Sequence, residues 1–124
     1  MSTLRFLVVA GRYNSHRTSP QVQQIRSHVR TLASLQNRFL DTSLKIQTVF
    51  EATTTDEKLK IYALYKQGTK GKNFKAKPPP VDFEGAAKWK AWDSLGNMSQ
   101  EEAQQKYVDL VNSILLKAGK EPVV

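Results

Sequence analysis

Residues 54–68 run Thr54-Thr55-Asp56-Glu57-Lys58-Leu59-Lys60-Ile61-Tyr62-Ala63-Leu64-Tyr65-Lys66-Gln67-Gly68. Thr54 with Glu57 three residues later is a capping box, so a helix is predicted to begin here. It carries Leu59, Tyr62, Ala63, Tyr65 and Lys66 and fades near Gly68 and Gly71. Spacings of three and four put Tyr62, Tyr65 and Lys66 on one face, which Leu59 extends by a turn. Two phenols and an ammonium beside an apolar side chain suit a ligand with phosphate at one end and something flat or greasy nearby. Tyrosine stacks and donates to phosphate oxygen, and lysine supplies a point charge. The same spacing also suits tyrosines at the edge of a core and a lysine snorkelling to water. Spacing alone favours that plainer arrangement.

Three more helices are predicted around this one. The first covers about residues 37–50, with Phe39, Ser43, Ile46 and Phe50 on one face and Leu40 and Leu44 beside them. The hydroxyl-bearing run Thr53-Thr54-Thr55 stops it. Downstream, Lys72, Lys75 and Lys77 make a basic loop, and Pro78-Pro79-Pro80 stiffens it. Asp82 caps a third helix carrying Ala86, Ala87, Trp89, Trp92 and Leu95 and ending at Gly96, with both tryptophans read mainly as core. Ser99 and Glu102 form a second capping box. The fourth helix then repeats Ala103, Tyr107, Leu110, Val111, Ile114 and Leu115 at helical period and stops at Gly119. No segment alternates as a strand does, so the fold class is all-α, a four-helix bundle. The long connection between the second and third helices frees that pair from an antiparallel arrangement. Domain bounds follow: 1–36 extension, 37–119 bundle, 120–124 tail.

The net charge of +8 is split unevenly. Residues 1–38 hold six arginines and neither lysine nor acid, whereas residues 39–124 hold thirteen lysines against eleven acids. The bundle is therefore nearly balanced, and its lysines alternate with acids as on a solvated face, which argues against nucleic-acid binding. An Arg- and Ser-rich, acid-free segment has the composition of a mitochondrial transit peptide. Leu4, Leu7 and Val8 share one face there, and Val22, Ile25, Val29 and Leu32 another. Arg30-Thr31-Leu32-Ala33-Ser34 resembles a matrix-processing site. Phe6–Ala10 is too short for the apolar region of a secretory signal. The extension is expected to be largely disordered or a fluctuating amphipathic helix. Its predicted destination is the mitochondrial matrix, with the cytoplasm and the peroxisome as alternatives.

Nothing in the chain has a catalytic pattern. Cysteine is absent and both histidines, His16 and His28, lie in the extension. Glu101-Glu102 reads as the acidic first turn of a helix. No metal ligands or cofactor are expected, and no apolar run approaches the ~18 residues needed to span a bilayer.

Residues 55–71, together with Asp82-Phe83-Glu84-Gly85-Ala86-Ala87-Lys88-Trp89-Lys90-Ala91-Trp92, Leu95-Gly96, Ser99–Ala103 and Tyr107, resemble the acyl-CoA-binding protein family. The likeness covers about residues 39–118. Leu64-Tyr65-Lys66-Gln67 and Tyr107–Val111 are especially similar to the acyl-CoA-binding domain fused to some enoyl-CoA isomerases, without the isomerase domain itself. The resemblance implies a non-catalytic, monomeric up-down-down-up bundle that carries long-chain acyl-CoA for lipid metabolism and meets acyl-CoA-using enzymes transiently. It implies that Tyr65, Lys66 and Lys88 hold the 3′-phosphate, that Tyr62 and Tyr107 line the nucleotide and pantetheine path, and that Ile46 and Leu59 follow the acyl chain. Ala63 and Leu64 fall inside the matched motif. The chain departs from the family at Gln47 and Glu84, where lysine is frequent, and at Gly68, a usual alanine. The competing expectations are a helical protein-interaction module and an accessory subunit of a β-oxidation enzyme.

Overall fold

The computed structural model describes residues 18–124, and the chain divides into two compact units at residues 33/34. The first helix, α1, spans Pro20–Lys45 and so begins in the first unit and ends in the second. Its start follows a local rule. Ser19 accepts the Val22 backbone N–H through its hydroxyl at 3.3 Å, and proline at the first helical position lacks only an N–H that would go unbonded anyway. The helix therefore begins 17 residues before the expected Asn37, because nothing between Pro20 and Asn37 stops it. In the first unit Val22, Ile25 and Val29 lie exposed on one face. The predicted face of Leu4, Leu7 and Val8 lies outside the described residues.

In the second unit α1 also ends earlier than expected. Lys45 is its last residue, and two 3₁₀ turns follow, Ile46–Thr48 and Phe50–Ala52. The hydroxyls of Thr48 and Thr53 donate to the carbonyls of Lys45 and Phe50, an alternative to continued helix. The buried face is also rotated from the predicted one. Leu35, Phe39, Thr42, Ile46 and Val49 point inward, whereas Leu40 and Leu44 are exposed. Thr42 tolerates full burial because its hydroxyl reaches the carbonyls of Arg38 at 2.7 Å and Phe39 at 2.9 Å.

The remaining helices are α2 (Thr55–Lys70), α3 (Phe83–Asp93) and α4 (Gln100–Lys117). The described residues thus contain four α-helices and no strand. The capping box at Thr54 closes in both directions, with Glu57 and Thr54 exchanging bonds of 3.1 Å. At α4 only half the predicted box forms. Ser99 accepts the Glu102 N–H, but the Glu102 carboxylate bridges Lys106 at 3.2 Å. Gly119 at φ +74° ends the helix in a Schellman turn, in which Lys120 N–H donates to Leu115 at 2.9 Å. Asn112 then fastens the tail by exchanging bonds of 2.8 and 2.9 Å with Val123.

The core lies between α2 and α4. Ile61 and Leu64 meet Ala103, Tyr107, Val108, Val111, Ile114 and Leu115 there, and α1 adds Leu35 and Phe39. α3 contributes one buried side chain, Trp92. Its indole N–H donates to Gln67 Oε1 and to the Gly71 carbonyl, each at 3.0 Å. Gln67 in turn donates to the carbonyls of Gly96 and Met98. One buried amide thus ties α2 to α3 and to the turn before α4. Trp89 is only half-buried and clamps the loop instead of filling the core. Its N–H donates to Lys75 O at 2.7 Å, while Asn73 donates to Trp89 O.

Gly68 allows α2 to pack closely against Phe39 of α1 and Gln104 of α4. A Cβ there would lie 3.0 Å from Phe39 Cζ and 3.1 Å from Gln104 Cγ. Neither neighbour yields easily. Phe39 is held between Tyr65 and Tyr107, and Gln104 donates to the Gly68 carbonyl at 2.9 Å. Gly68→Ala gains ~1 kcal/mol in helix propensity, but overpacking costs about 1–3 kcal/mol. A net loss of about 1 kcal/mol is expected from urea unfolding. A variant more stable than the parent would show that Phe39 and Gln104 shift freely.

Candidate functional site

The exposed side of α1 and the adjoining face of α2 enclose a cavity of about 870 Å³, within the ~300–1,000 Å³ usual for ligand sites. Its apolar lining comes from Leu40, Leu44, Ile46 and Phe50 on one side and Leu59 and Ile61 on the other. The exposure of Leu40 and Leu44 is thereby explained, since they form a wall that no helix of the described residues covers. Tyr62, Tyr65 and Tyr107 close the interior, and Glu84 and Lys88 of α3 also line the cavity.

Tyr107 belongs to an aromatic group behind the cavity. Its ring meets Phe39 edge-on at 5.0 Å and Tyr65 at 6.0 Å. Burial, with Tyr65 adding to it, pushes its phenol up to about 12, so the group stays neutral and keeps its proton to donate. Tyr62 faces the charges. Lys66 Nζ, one turn along α2, lies 5.8 Å from the Tyr62 ring centroid, and Lys88 Nζ, arriving from α3, lies 5.5 Å from it. Lys66 is also 5.8 Å from the Trp92 ring. Two ammonium groups from different helices therefore converge on one phenol at the edge of an apolar trough. Lys88 is further held by Glu84, at 2.9 Å, and this hydrogen bond raises its pKa above the ordinary lysine value.

Of the sequence-predicted set, Tyr62, Tyr65, Lys88, Tyr107, Ile46, Gln47, Leu59 and Glu84 all line this cavity. Lys66 stands beside it, against Tyr62. Ala63 and Leu64 do not reach it. Both are buried on the opposite side of α2, where they line a smaller cleft of about 400 Å³ with Leu95 and Met98. Sequence reasoning did not assign Leu40, Ser43, Leu44, Phe50, Thr55, Lys58 or Ile61 to the site, although all line the cavity. The apolar pair Leu40 and Leu44, four apart, was the available signal. Lys58 carried a weaker one, one turn before Tyr62 on the same face, and it lies 5.2 Å from the Phe50 ring. Among the described residues no group of histidine, cysteine or acid could hold a metal ion, and no helix is long and apolar enough to cross a membrane.

An apolar trough with cations gathered at its edge has the chemistry to take up an anionic amphiphile. Comparison with known proteins narrows that class: residues 36–111 match the family described as acyl CoA binding protein, and the chain belongs to that family. It is 42% identical over 81 residues to acyl-CoA-binding protein homolog 1 of Caenorhabditis elegans, a match covering 65% of this chain and 94% of that protein. It is also 37% identical over 97 residues to enoyl-CoA delta isomerase 2 of Homo sapiens, covering 78% of this chain but 25% of the human protein. The crystal structure of acyl-CoA-binding protein 2 from Oryza sativa superposes with a TM-score of 0.70 at 30% identity, over 72% of this chain and 97% of that one. The fold is the four-helix, up-down-down-up bundle that the family resemblance implied.

Proposed function

We propose that the chain binds long-chain fatty acyl-CoA esters as a monomeric carrier and buffer that supplies lipid metabolism. The convergence of Lys66 and Lys88 on Tyr62, at the edge of the apolar trough, carries this reading. Tyr65, Lys66 and Lys88 hold the 3′-phosphate through charge-assisted hydrogen bonds, and Tyr62 and Tyr107 follow the nucleotide and pantetheine. Leu40, Leu44, Ile46, Phe50 and Leu59 take up the acyl chain, which gains about 0.8 kcal/mol for each CH₂ removed from water. In this role the chain holds its ligand and performs no chemistry on it, handing it to acyl-CoA-using enzymes through transient contacts. Lys66→Ala is expected to weaken binding by about 1.5–3 kcal/mol in calorimetric titration, the range for a hydrogen bond to a charged group. Binding equal to the parent, with the fold intact by circular dichroism, would remove Lys66 from the site.

We further infer a mitochondrial destination, on the ground that the acid-free, arginine-rich segment has the composition of a targeting peptide. Residues 1–38 fused to a fluorescent reporter are expected to carry it to mitochondria, and changing Arg5, Arg12 and Arg17 to glutamate should leave it in the cytosol. Delivery of the unmodified fusion to peroxisomes, or none at all, would defeat the targeting claim and leave the ligand claim standing.

A further inference from the structure

Glu84 and Lys88 stand one turn apart on α3, both on the wall of the cavity, with a carboxylate oxygen 2.9 Å from the ammonium. Glutamate four residues before lysine is the favourable order for such a pair on a helix. The cation available to a ligand's phosphate on this side of the site is therefore already engaged by an anion of the protein. We propose that Glu84 is a built-in competitor for the ligand's 3′-phosphate at Lys88, so that binding is an exchange of one anion for another and Glu84 lowers the affinity for ligands that bear this phosphate.

This rests on the acyl-CoA reading of the site. Glu84 is well placed for such a role because its side chain is 80% exposed and that of Lys88 42%, so the pair opens without unfolding anything. Exposed pairs of this kind are weak, which makes the exchange possible. Once displaced, the carboxylate stays within a helical turn of the incoming phosphate and repels it, an opposition that water and salt reduce but do not remove. Glu84 donates nothing to a phosphate oxygen when ionised, so it has no attractive part to play there. The effect is confined to ligands that use Lys88. A ligand without the phosphate leaves the Glu84–Lys88 pair in place and is indifferent to it. Glu84 thus sets how readily a bound phosphate-bearing cargo is released, without touching the apolar trough.

The test is titration of the parent, Glu84→Gln, Lys88→Ala and the double variant with hexadecanoyl-CoA and with its 3′-dephospho analogue. Glu84→Gln should bind hexadecanoyl-CoA roughly 3- to 20-fold more tightly than the parent, the breaking of one exposed pair plus the loss of its repulsion. The gain should vanish for the dephospho analogue and in the Lys88→Ala background. An unchanged affinity in Glu84→Gln would overturn the proposal, as would an equal gain with the dephospho analogue or without Lys88, because either would mark a general charge effect. A parent that binds neither ester would overturn the acyl-CoA reading and this inference together. A parent that binds well, with an indifferent Glu84→Gln, would overturn the inference alone.

Discussion

Replacing Gln67 with leucine is expected to destabilise the bundle by about 2–5 kcal/mol, although leucine has nearly the right volume. Gln67 is fully buried and satisfies partners from two directions. Its amide donates to Gly96 O at 3.1 Å and Met98 O at 2.7 Å, and its carbonyl accepts from Trp92 Nε1. Leucine offers none of these bonds. Trp92 keeps the Gly71 carbonyl as acceptor, so its loss is partial. The half-buried carbonyls of Gly96 and Met98 lose the amide that draws them in, at a cost of up to about 1–3 kcal/mol each. Because α3 buries only Trp92, the damage should concentrate on α3 and on the turn leading into α4. Urea unfolding gives the magnitude, and hydrogen exchange should show α3 opening before α2 and α4. A loss below about 1 kcal/mol would mean that the network follows the packing and does not hold α3 in place.

The second large effect belongs to the ligand. Lengthening the acyl chain from eight to fourteen carbons is expected to strengthen binding by up to about 5 kcal/mol, at ~0.8 kcal/mol per CH₂. The gain should then level off once the trough is full. The headgroup contribution should stay constant across the series, because Lys66 and Lys88 lie at the charged edge and not among the apolar lining. Burial of the chain should also appear as an increasingly negative heat-capacity change. An affinity that is flat in chain length would show that the trough does not hold the chain.

Much of the site was legible because helical spacing is a local property. Tyr62, Tyr65 and Lys66 had to share a face once Thr54 and Glu57 fixed where α2 begins. The convergence of Lys88 on Tyr62 was not readable that way, since it depends on how α3 lies against α2. The walls were harder. An apolar stripe such as Leu40 and Leu44 looks the same in sequence whether another helix covers it or a cavity opens there. The inward face was misjudged because Thr42, a polar residue, is fully buried on bonds to its own helix. Ala63 and Leu64 lie inside the most recognisable motif yet face the core, because residues adjacent in a helix point about 100° apart. The early start of α1 did have a signal, Ser19 before Pro20, which composition had folded into the extension.

The contact between Lys66 and Trp92 gives the bundle an optical reporter of its own. The ammonium lies 5.8 Å from the ring of a buried indole. A nearby cation shifts the energy of an indole's excited state, so a phosphate that draws Lys66 aside changes the colour and brightness of Trp92 emission without any label. Headgroup capture could then be timed separately from uptake of the acyl chain, by stopped-flow fluorescence on the unmodified chain.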